Sequence, residues 1–301
     1  MMITGSGTNS RNRPNARTRD RWGSRVRFGA FALFSGVAFL TGAAVAADGV
    51  TPPPRNPLSG RSAADTVQDW SRSGDPQSSD PVDRGLYLAR VGNCIACHSA
   101  DPEEASTFMA GGKAVPSPFG TFQSTNITPH PTQGIGRWSE ADFVRSMREG
   151  RSPSGEHYYP AFPYTAYTGM SDRDLSDLYA FLRSIPAVDR PNQPHDLTWF
   201  ANVGAGLAAW KALNFREWRY EPDRAQSEEW NRGAYLSQAV AHCAECHSPR
   251  TRTGRIVAKR RYAGAAQGPD GKPTPNITPH ASGIAGWTQR HLVRYLEFGM
   301  T

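Results

Sequence analysis

Cys94-Ile95-Ala96-Cys97-His98 recurs as Cys243-Ala244-Glu245-Cys246-His247, and the two copies use all four cysteines of the chain. Thiols at i and i+3 share one face of a helix. C-x-x-C-H is the pattern by which a c-type haem is held through two thioethers, with the adjacent histidine falling under the iron as proximal ligand. Zinc ribbons set their C-x-x-C pairs about 15–20 residues apart, whereas here the second copy starts 149 positions after the first (243 − 94). A thioredoxin-like site explains one C-x-x-C beside a βαβ pattern, not two that each precede histidine. The expected cofactors are therefore two covalently attached haems c with their iron. Cys94, Cys97, Cys243 and Cys246 form the thioethers, and His98 and His247 are the proximal iron ligands.

Haem c is attached outside the bacterial cytoplasm, so this reading requires export. Arg11, Arg13, Arg17, Arg19, Arg21, Arg25 and Arg27 form a basic n-region before an apolar run from Phe28 to about Leu40, and Ala44-Val45-Ala46 offers an A-x-A cleavage site. Residues 1–46 read as a signal peptide. No Arg-Arg pair precedes the apolar run, which favours general secretion over twin-arginine export. Extended to Ala47, the same run is long enough for an uncleaved anchor, the competing reading. The seven arginines against Asp20 account for +6 of the formal charge of +7, so the basic pI of 9.4 gives no support to nucleic-acid binding.

Residues 47–80 are rich in Pro, Ser, Gly and Asp and read as a flexible leader. A helix is expected from Asp80, with Pro81 at its first position and Asp83 in its first turn, delivering Tyr87, Leu88 and Val91 toward the first motif. A second starts at Ser139, where Asp142 completes a capping box, and stops near Gly150. A third starts at Ser171 with Asp174 as box partner; Leu175, Leu178, Tyr179 and Leu182 follow at helical spacing, and Pro186 ends it. Asn126-Ile127-Thr128-Pro129-His130 then returns as Asn276-Ile277-Thr278-Pro279-His280, 150 positions on. Arg84-Gly85 and Tyr87-Leu88 return as Arg232-Gly233 and Tyr235-Leu236, and Trp138 and Gly150 as Trp287 and Gly299. The expected fold is all-α: two tandem class I-like cytochrome c domains, at 81–190 and 227–301, after the signal peptide and leader. Residues 191–226, with Trp199, Phe200, Trp210, Phe215 and Trp218, form an aromatic connector whose rings are read as packing.

An electron-carrying haem takes methionine on its other face, because the thioether favours Fe(II). Met170 is the expected distal ligand of the first haem, since it ends a Pro- and aromatic-rich loop (Tyr158 to Gly169) directly before the third helix. His130 is the rival. Met147 reads as core, at i+4 from Phe143, and Met109 lies in a weakly patterned segment. The same offset puts the second domain's ligand at 319 (170 + 149), past Thr301, so that domain is expected to be truncated before its distal ligand and last helix. Met300 aligns with Arg151, and His280 or His291 are the remaining substitutes.

From Arg84 onward the chain resembles the cytochrome c subunit family of membrane-bound bacterial dehydrogenases, typified by the alcohol and gluconate 2-dehydrogenase cytochrome subunits. The resemblance rests on R-G-x-Y-L at 84–88, C-I-A-C-H-S at 94–99, F-G-T-F-Q-S-T-N-I-T-P-H-P-T-Q-G-I-G at 119–136, Y-P-A-F-P-Y at 159–164, and E-W-N-R-G-A-Y-L at 229–236 with the following C-A-E-C-H-S-P-R. It implies the thioether and proximal roles above, distal ligation by Met170, and a chain of typically three haem c domains. Family members often carry Asp where His130 stands, which argues against His130. The resemblance implies a non-catalytic electron-transfer subunit in the periplasm, associated with the outer face of the cytoplasmic membrane. Its donor would be a periplasmic or membrane-bound dehydrogenase subunit that oxidises an alcohol, aldehyde or sugar acid, and its acceptor a quinone, cytochrome or oxidase. The alternative is a dihaem enzyme, peroxidase-like or thiosulfate-oxidising, with an open second haem.

Overall fold

The computed structural model describes residues 74–199, 204–268 and 271–299. The expected signal peptide, the leader up to residue 73, Phe200 and Met300 lie outside the described residues. Helix α1 (Pro81–Val91) begins as its sequence demands, with the Asp80 carboxylate accepting the Val82 N–H at 2.9 Å and Pro81 at the first position, where its missing N–H costs nothing. Asn93, left-handed at φ 59°, then turns the chain into the short helix α2 (Cys94–His98).

Two short strands follow, β1 (Ala114–Ser117) and β2 (Gly120–Gln123), closed by a turn in which the Ser117 hydroxyl donates to the Gly120 carbonyl at 2.7 Å and accepts the Phe119 N–H at 3.1 Å. A third, β3 (Asp196–Leu197), joins β2 antiparallel to give the order β1-β2-β3. The molecule is mostly helical with this small sheet, which corrects the all-α expectation. Four-residue strands carry too little alternation to announce themselves, and the third comes from the distant connector.

Helix α3 (Glu140–Glu149) carries the full Ser139/Asp142 capping box, ends at left-handed Gly150, and buries Phe143 and Met147. Inside the expected ligand loop lies a short helix, α4 (Tyr164–Tyr167). Helix α5 (Asp172–Ser184) is capped by the Ser171 hydroxyl, which accepts the Asp174 N–H at 3.1 Å. Its expected capping box is made by proxy: the Ser171 N–H donates to the Tyr235 hydroxyl at 3.1 Å, and that hydroxyl donates to Asp174 at 2.6 Å. A tyrosine about sixty residues on therefore closes a motif that looks purely local.

Helices α1 and α5 cross at Gly85, where an added Cβ would lie 2.1 Å from the Asp177 carbonyl oxygen. Beside the crossing, Arg84 grips Asp177 with two hydrogen bonds of 2.7 and 2.6 Å, a bidentate pair. The core is one cluster built on Leu86, Leu88, Phe143, Met147, Leu175 and Phe181, among others.

The connector packs as its aromatic content implies. Helix α6 (Gly204–Asn214) sends Trp210 Nε1 to the Thr253 carbonyl at 2.6 Å and Lys211 Nζ to the Gly150 carbonyl at 3.0 Å, with the ammonium 4.8 Å from the Tyr164 ring centre. Trp218 donates to the Thr165 carbonyl at 3.1 Å, and the Phe215 ring meets Tyr164 edge-on at 5.0 Å. Trp199, by contrast, is 84% exposed.

Helix α7 (Glu228–Tyr235) runs on into a π-helical turn (Leu236–Val240), which leads through left-handed His242 to α8 (Cys243–His247). Tyr235, Ala239 and Val240 from this stretch join the core cluster. A 3-10 turn (Ala258–Arg260) and helix α9 (Gln289–Phe298), capped by a Thr288/His291 box, complete the described chain.

Candidate haem sites

Each C-x-x-C-H segment is one short helix entered from a left-handed residue, Asn93 at φ 59° and His242 at φ 42°. All four cysteines are partly exposed, and neither pair forms a disulfide. Burial pushes the Cys94 thiol up to about 12, with Cys97 adding to the shift, and burial raises Cys97 and Cys243 as well. Among the described residues, no three of His, Cys, Asp and Glu come together as a metal cluster.

The histidines settle the orientation. His98 Nδ1 lies 2.7 Å from the Thr125 carbonyl oxygen, and His247 Nδ1 lies 2.9 Å from that of Pro275. A carbonyl accepts only from an N–H, so the proton sits on Nδ1 and the Nε2 lone pair is left for a metal, the usual support for a ligating histidine. Burial pulls the His98 pKa down, opposed by the Thr125 carbonyl. The donor set therefore fits haem c at both places: two thiols one turn apart and an imidazole with its tautomer fixed.

The surrounding loops repeat the same wiring. The His98 carbonyl accepts from Gly111 N–H at 2.7 Å and the His247 carbonyl from Gly264 N–H at 2.8 Å. Met109 and Tyr262, both at positive φ (57° and 67°), donate their N–H to the Ser99 and Ser248 hydroxyls at 3.0 Å. Their carbonyls accept from Ile127 and Ile277 at 2.9 and 3.0 Å. Bulky residues in this region are strained, and the strain is held by the same three bonds in each half. The Asn126 and Asn276 carboxamides each bind both the N–H and the hydroxyl of a threonine two residues on. This explains why the N-I-T-P-H block recurs.

The two motifs also approach each other. Tyr167 donates its hydroxyl to the Gly92 carbonyl at 2.7 Å, and His242 Nε2 lies 3.4 Å from the same oxygen. The Tyr167 and His242 rings meet edge-on at 5.5 Å. Thr165 donates to Glu245 at 2.8 Å, so α4 touches the second motif directly. A cavity of about 140 Å³ adjoins this contact, lined by Thr165, Trp210, His242, Glu245 and Arg250 among others.

Met170 is 1% exposed and lies in the core cluster with Ile95 of the first motif; its N–H donates to the Tyr167 carbonyl at 2.9 Å and its carbonyl accepts from Arg148 at 3.0 Å. Met109 and Met147 are buried in that cluster too. The histidine rivals are occupied locally. His130 Nδ1 accepts the Gln133 N–H at 3.1 Å while Nε2 faces Asp189 at 3.6 Å. His280 is tied to Ser282 at 2.9 Å, and His291 closes the α9 cap. The residues missed from sequence are Thr125 and Pro275, Gly92, Tyr167 and His242. Thr125 and Pro275 act through backbone carbonyls, so nothing in their side chains marks them; their only signal is their place just before each N-I-T-P-H block.

Residues 82–186 match the cytochrome c family model. A dihaem c-type cytochrome of Cereibacter sphaeroides is 39% identical over 239 residues, an overlap covering 75% of this chain and 79% of that protein. The chain belongs to the family of dihaem c-type cytochromes. The fructose dehydrogenase cytochrome subunit of Gluconobacter japonicus is 38% identical over 224 residues, and the gluconate 2-dehydrogenase cytochrome c subunit of Pantoea cypripedii 34% over 235. These overlaps take in 73% and 75% of this chain, but they span only 45% of the former protein and 53% of the latter. As a member of this cytochrome family the chain carries covalently bound haem c and works in electron transfer. None of the described helices is long and apolar enough to cross a membrane.

Proposed function

We propose that the chain is a dihaem electron carrier built from two tandem cytochrome c domains, at 81–190 and 227–301, joined by the connector 191–226. Cys94 and Cys97 hold one haem and Cys243 and Cys246 the other, with His98 and His247 as proximal ligands. Haem iron, when bound, supplies a one-electron couple that needs no proton from the protein. The protein's own part is to hold each imidazole through Thr125 or Pro275, to exclude water with the aromatic side chains of α4, and to keep the two attachment segments in contact at Gly92. The observation that carries the reading is the identical histidine–carbonyl anchor beside both motifs.

Met170 is proposed as the distal ligand of the first haem, on the strength of its burial beside Ile95 and α4. The donor is a dehydrogenase subunit that oxidises an alcohol, aldehyde or sugar acid, and the acceptor a quinone, cytochrome or oxidase, on the periplasmic side of the cytoplasmic membrane. The support is the naming of relatives as cytochrome subunits of fructose, gluconate 2- and alcohol dehydrogenases.

One observation favours a second reading, an enzyme with an open second haem. His280 and His291, the histidines considered for the second iron, are engaged in a turn and a cap. Electron paramagnetic resonance of the oxidised haem-loaded chain separates the two. Two low-spin signals, with the charge-transfer band of an iron–thioether bond lost in Met170→Leu, support the carrier. A high-spin signal that disappears with added cyanide supports the enzyme.

A further inference from the structure

The loop leading from each motif to its strained partner residue has opposite charge in the two halves. Residues 99–109 hold Asp101, Glu103 and Glu104 and no Lys or Arg. Residues 248–262 hold Arg250, Arg252, Arg255, Lys259, Arg260 and Arg261 and no Asp or Glu. All of these charged residues are exposed. Among the described residues, Arg250 is the one cation of the six that meets a carboxylate, that of Glu245, and no cation pairs with the three acids. A run of like charge is ordinarily a solvated or disordered tail. This one is folded: Arg250 and Ile256 bridge, Thr251 N–H donates to the Arg255 carbonyl at 2.8 Å, and Val257 N–H to that of Pro249 at 2.9 Å. Its two ends are tied to the second motif by Arg250, which donates to the Glu245 carbonyl at 2.8 Å, and by Tyr262 on Ser248.

We infer that the loop from Arg250 to Arg261 is a docking surface for an acidic protein that exchanges electrons at the second site. This rests on the reading of Cys243–His247 as a haem segment. Cations fixed around an electron exit attract a carboxylate-rich surface and orient it, raising the encounter rate while repelling basic carriers. The acidic loop at the equivalent place in the first half selects the opposite partner, so the molecule sorts its partners by charge. An anionic membrane is the weaker occupant, because interfacial binding combines basic with apolar side chains. Among the described residues, no large exposed hydrophobic side chain lies between 248 and 262. The exchange moves one electron from the reduced centre to the oxidised one, with no bond made or broken.

The test uses the full haem-loaded chain, the variant R252Q/R255Q/K259Q/R260Q and the control D101N/E103Q/E104Q. Covalent haem is counted first from the optical spectrum, so a failure of the haem reading appears as missing haem, separate from any effect on docking. The probe is plastocyanin, an acidic copper carrier, followed by stopped-flow for the rate and by titration calorimetry for binding, the latter valid with or without haem. For the wild type the association rate should fall roughly ten- to a thousandfold as salt is raised. The quadruple variant should lose most of that salt dependence and the binding heat, and the acid variant should keep both. An unchanged rate and salt slope in the quadruple variant overturn the inference, as does equal loss in both variants. So does salt-sensitive sedimentation of the wild type with phosphatidylglycerol vesicles in place of plastocyanin binding.

Discussion

The stretches 93–138 and 242–287 share the hydrogen bonds that anchor the histidine, yet the helices around them are closed in the first half and open in the second. Gly85 of α1 is pressed by α5, whereas an added Cβ at its counterpart Gly233 of α7 meets nothing within 4 Å. Gly150, at the end of α3, lies under the Tyr164 ring; Gly299, at the end of α9, has the same left-handed φ and open space above it. Phe143 and Met147 are core on α3, and their counterparts Leu292 and Leu296 on α9 lie outside it, Leu296 at 82% exposed. The hydrogen-bonded loop that orients the histidine therefore forms without the apolar cover that α4 and α5 supply. Orientation of the histidine and closure of the core are separate tasks, and only the first is repeated among the described residues.

Substitutions in equivalent positions test this separation, read by urea unfolding of the same chain. The largest contrast is expected on the two middle helices. Met147→Ala should cost about 2–5 kcal/mol by opening a cavity, while Leu296→Ala should stay within about 0.5 kcal/mol, as for a surface change. Equal costs would mean that α9 is covered in solution. Next comes the helix crossing. Gly85→Ala forces α1 and α5 apart and should cost about 1–3 kcal/mol, while Gly233→Ala should stabilise by about 0.5–1 kcal/mol through helix propensity. A penalty at both glycines would break the comparison.

A smaller effect is expected where the two halves meet. Tyr235→Phe removes the hydroxyl that both completes the α5 cap and binds Asp174, a loss of about 1 kcal/mol. Burial also raises the Tyr235 pKa, with Asp174 adding to the shift. The smallest effect is a pH slope. Burial lowers Lys211 from 10.5 to about 8, with the charge of Arg151 adding to it. Between those values the unfolded chain binds the proton that the folded chain has released, so stability rises with pH from about 8 to 10.5. Lys211→Met should flatten that rise; an unchanged slope would assign it to another group.

Much of this was legible in the sequence where the determinants are local. The Asp80, Ser139 and Ser171 caps start the helices as read, Gly150 and Pro186 mark where two of them end, and the repeated N-I-T-P-H block marks the turn that recurs beside the second motif. What stayed hidden depends on backbone atoms or on distant partners. The carbonyls of Thr125 and Pro275 leave no side-chain signature, β3 joins the sheet from the connector, and Tyr235 stands in for half of a capping box. The contact of both motifs at Gly92 is likewise tertiary, since neither Tyr167 nor His242 belongs to a motif.

The central claim, two haems held by two equivalent segments, is tested most directly by the intact mass of the chain matured with a c-type assembly system. The wild type should carry two haems and no titratable thiol, and the variants C94A/C97A and C243A/C246A should each carry one. A wild-type mass without added haem, with four reactive thiols, would contradict the account, as would loss of both haems when only the second pair of cysteines is removed.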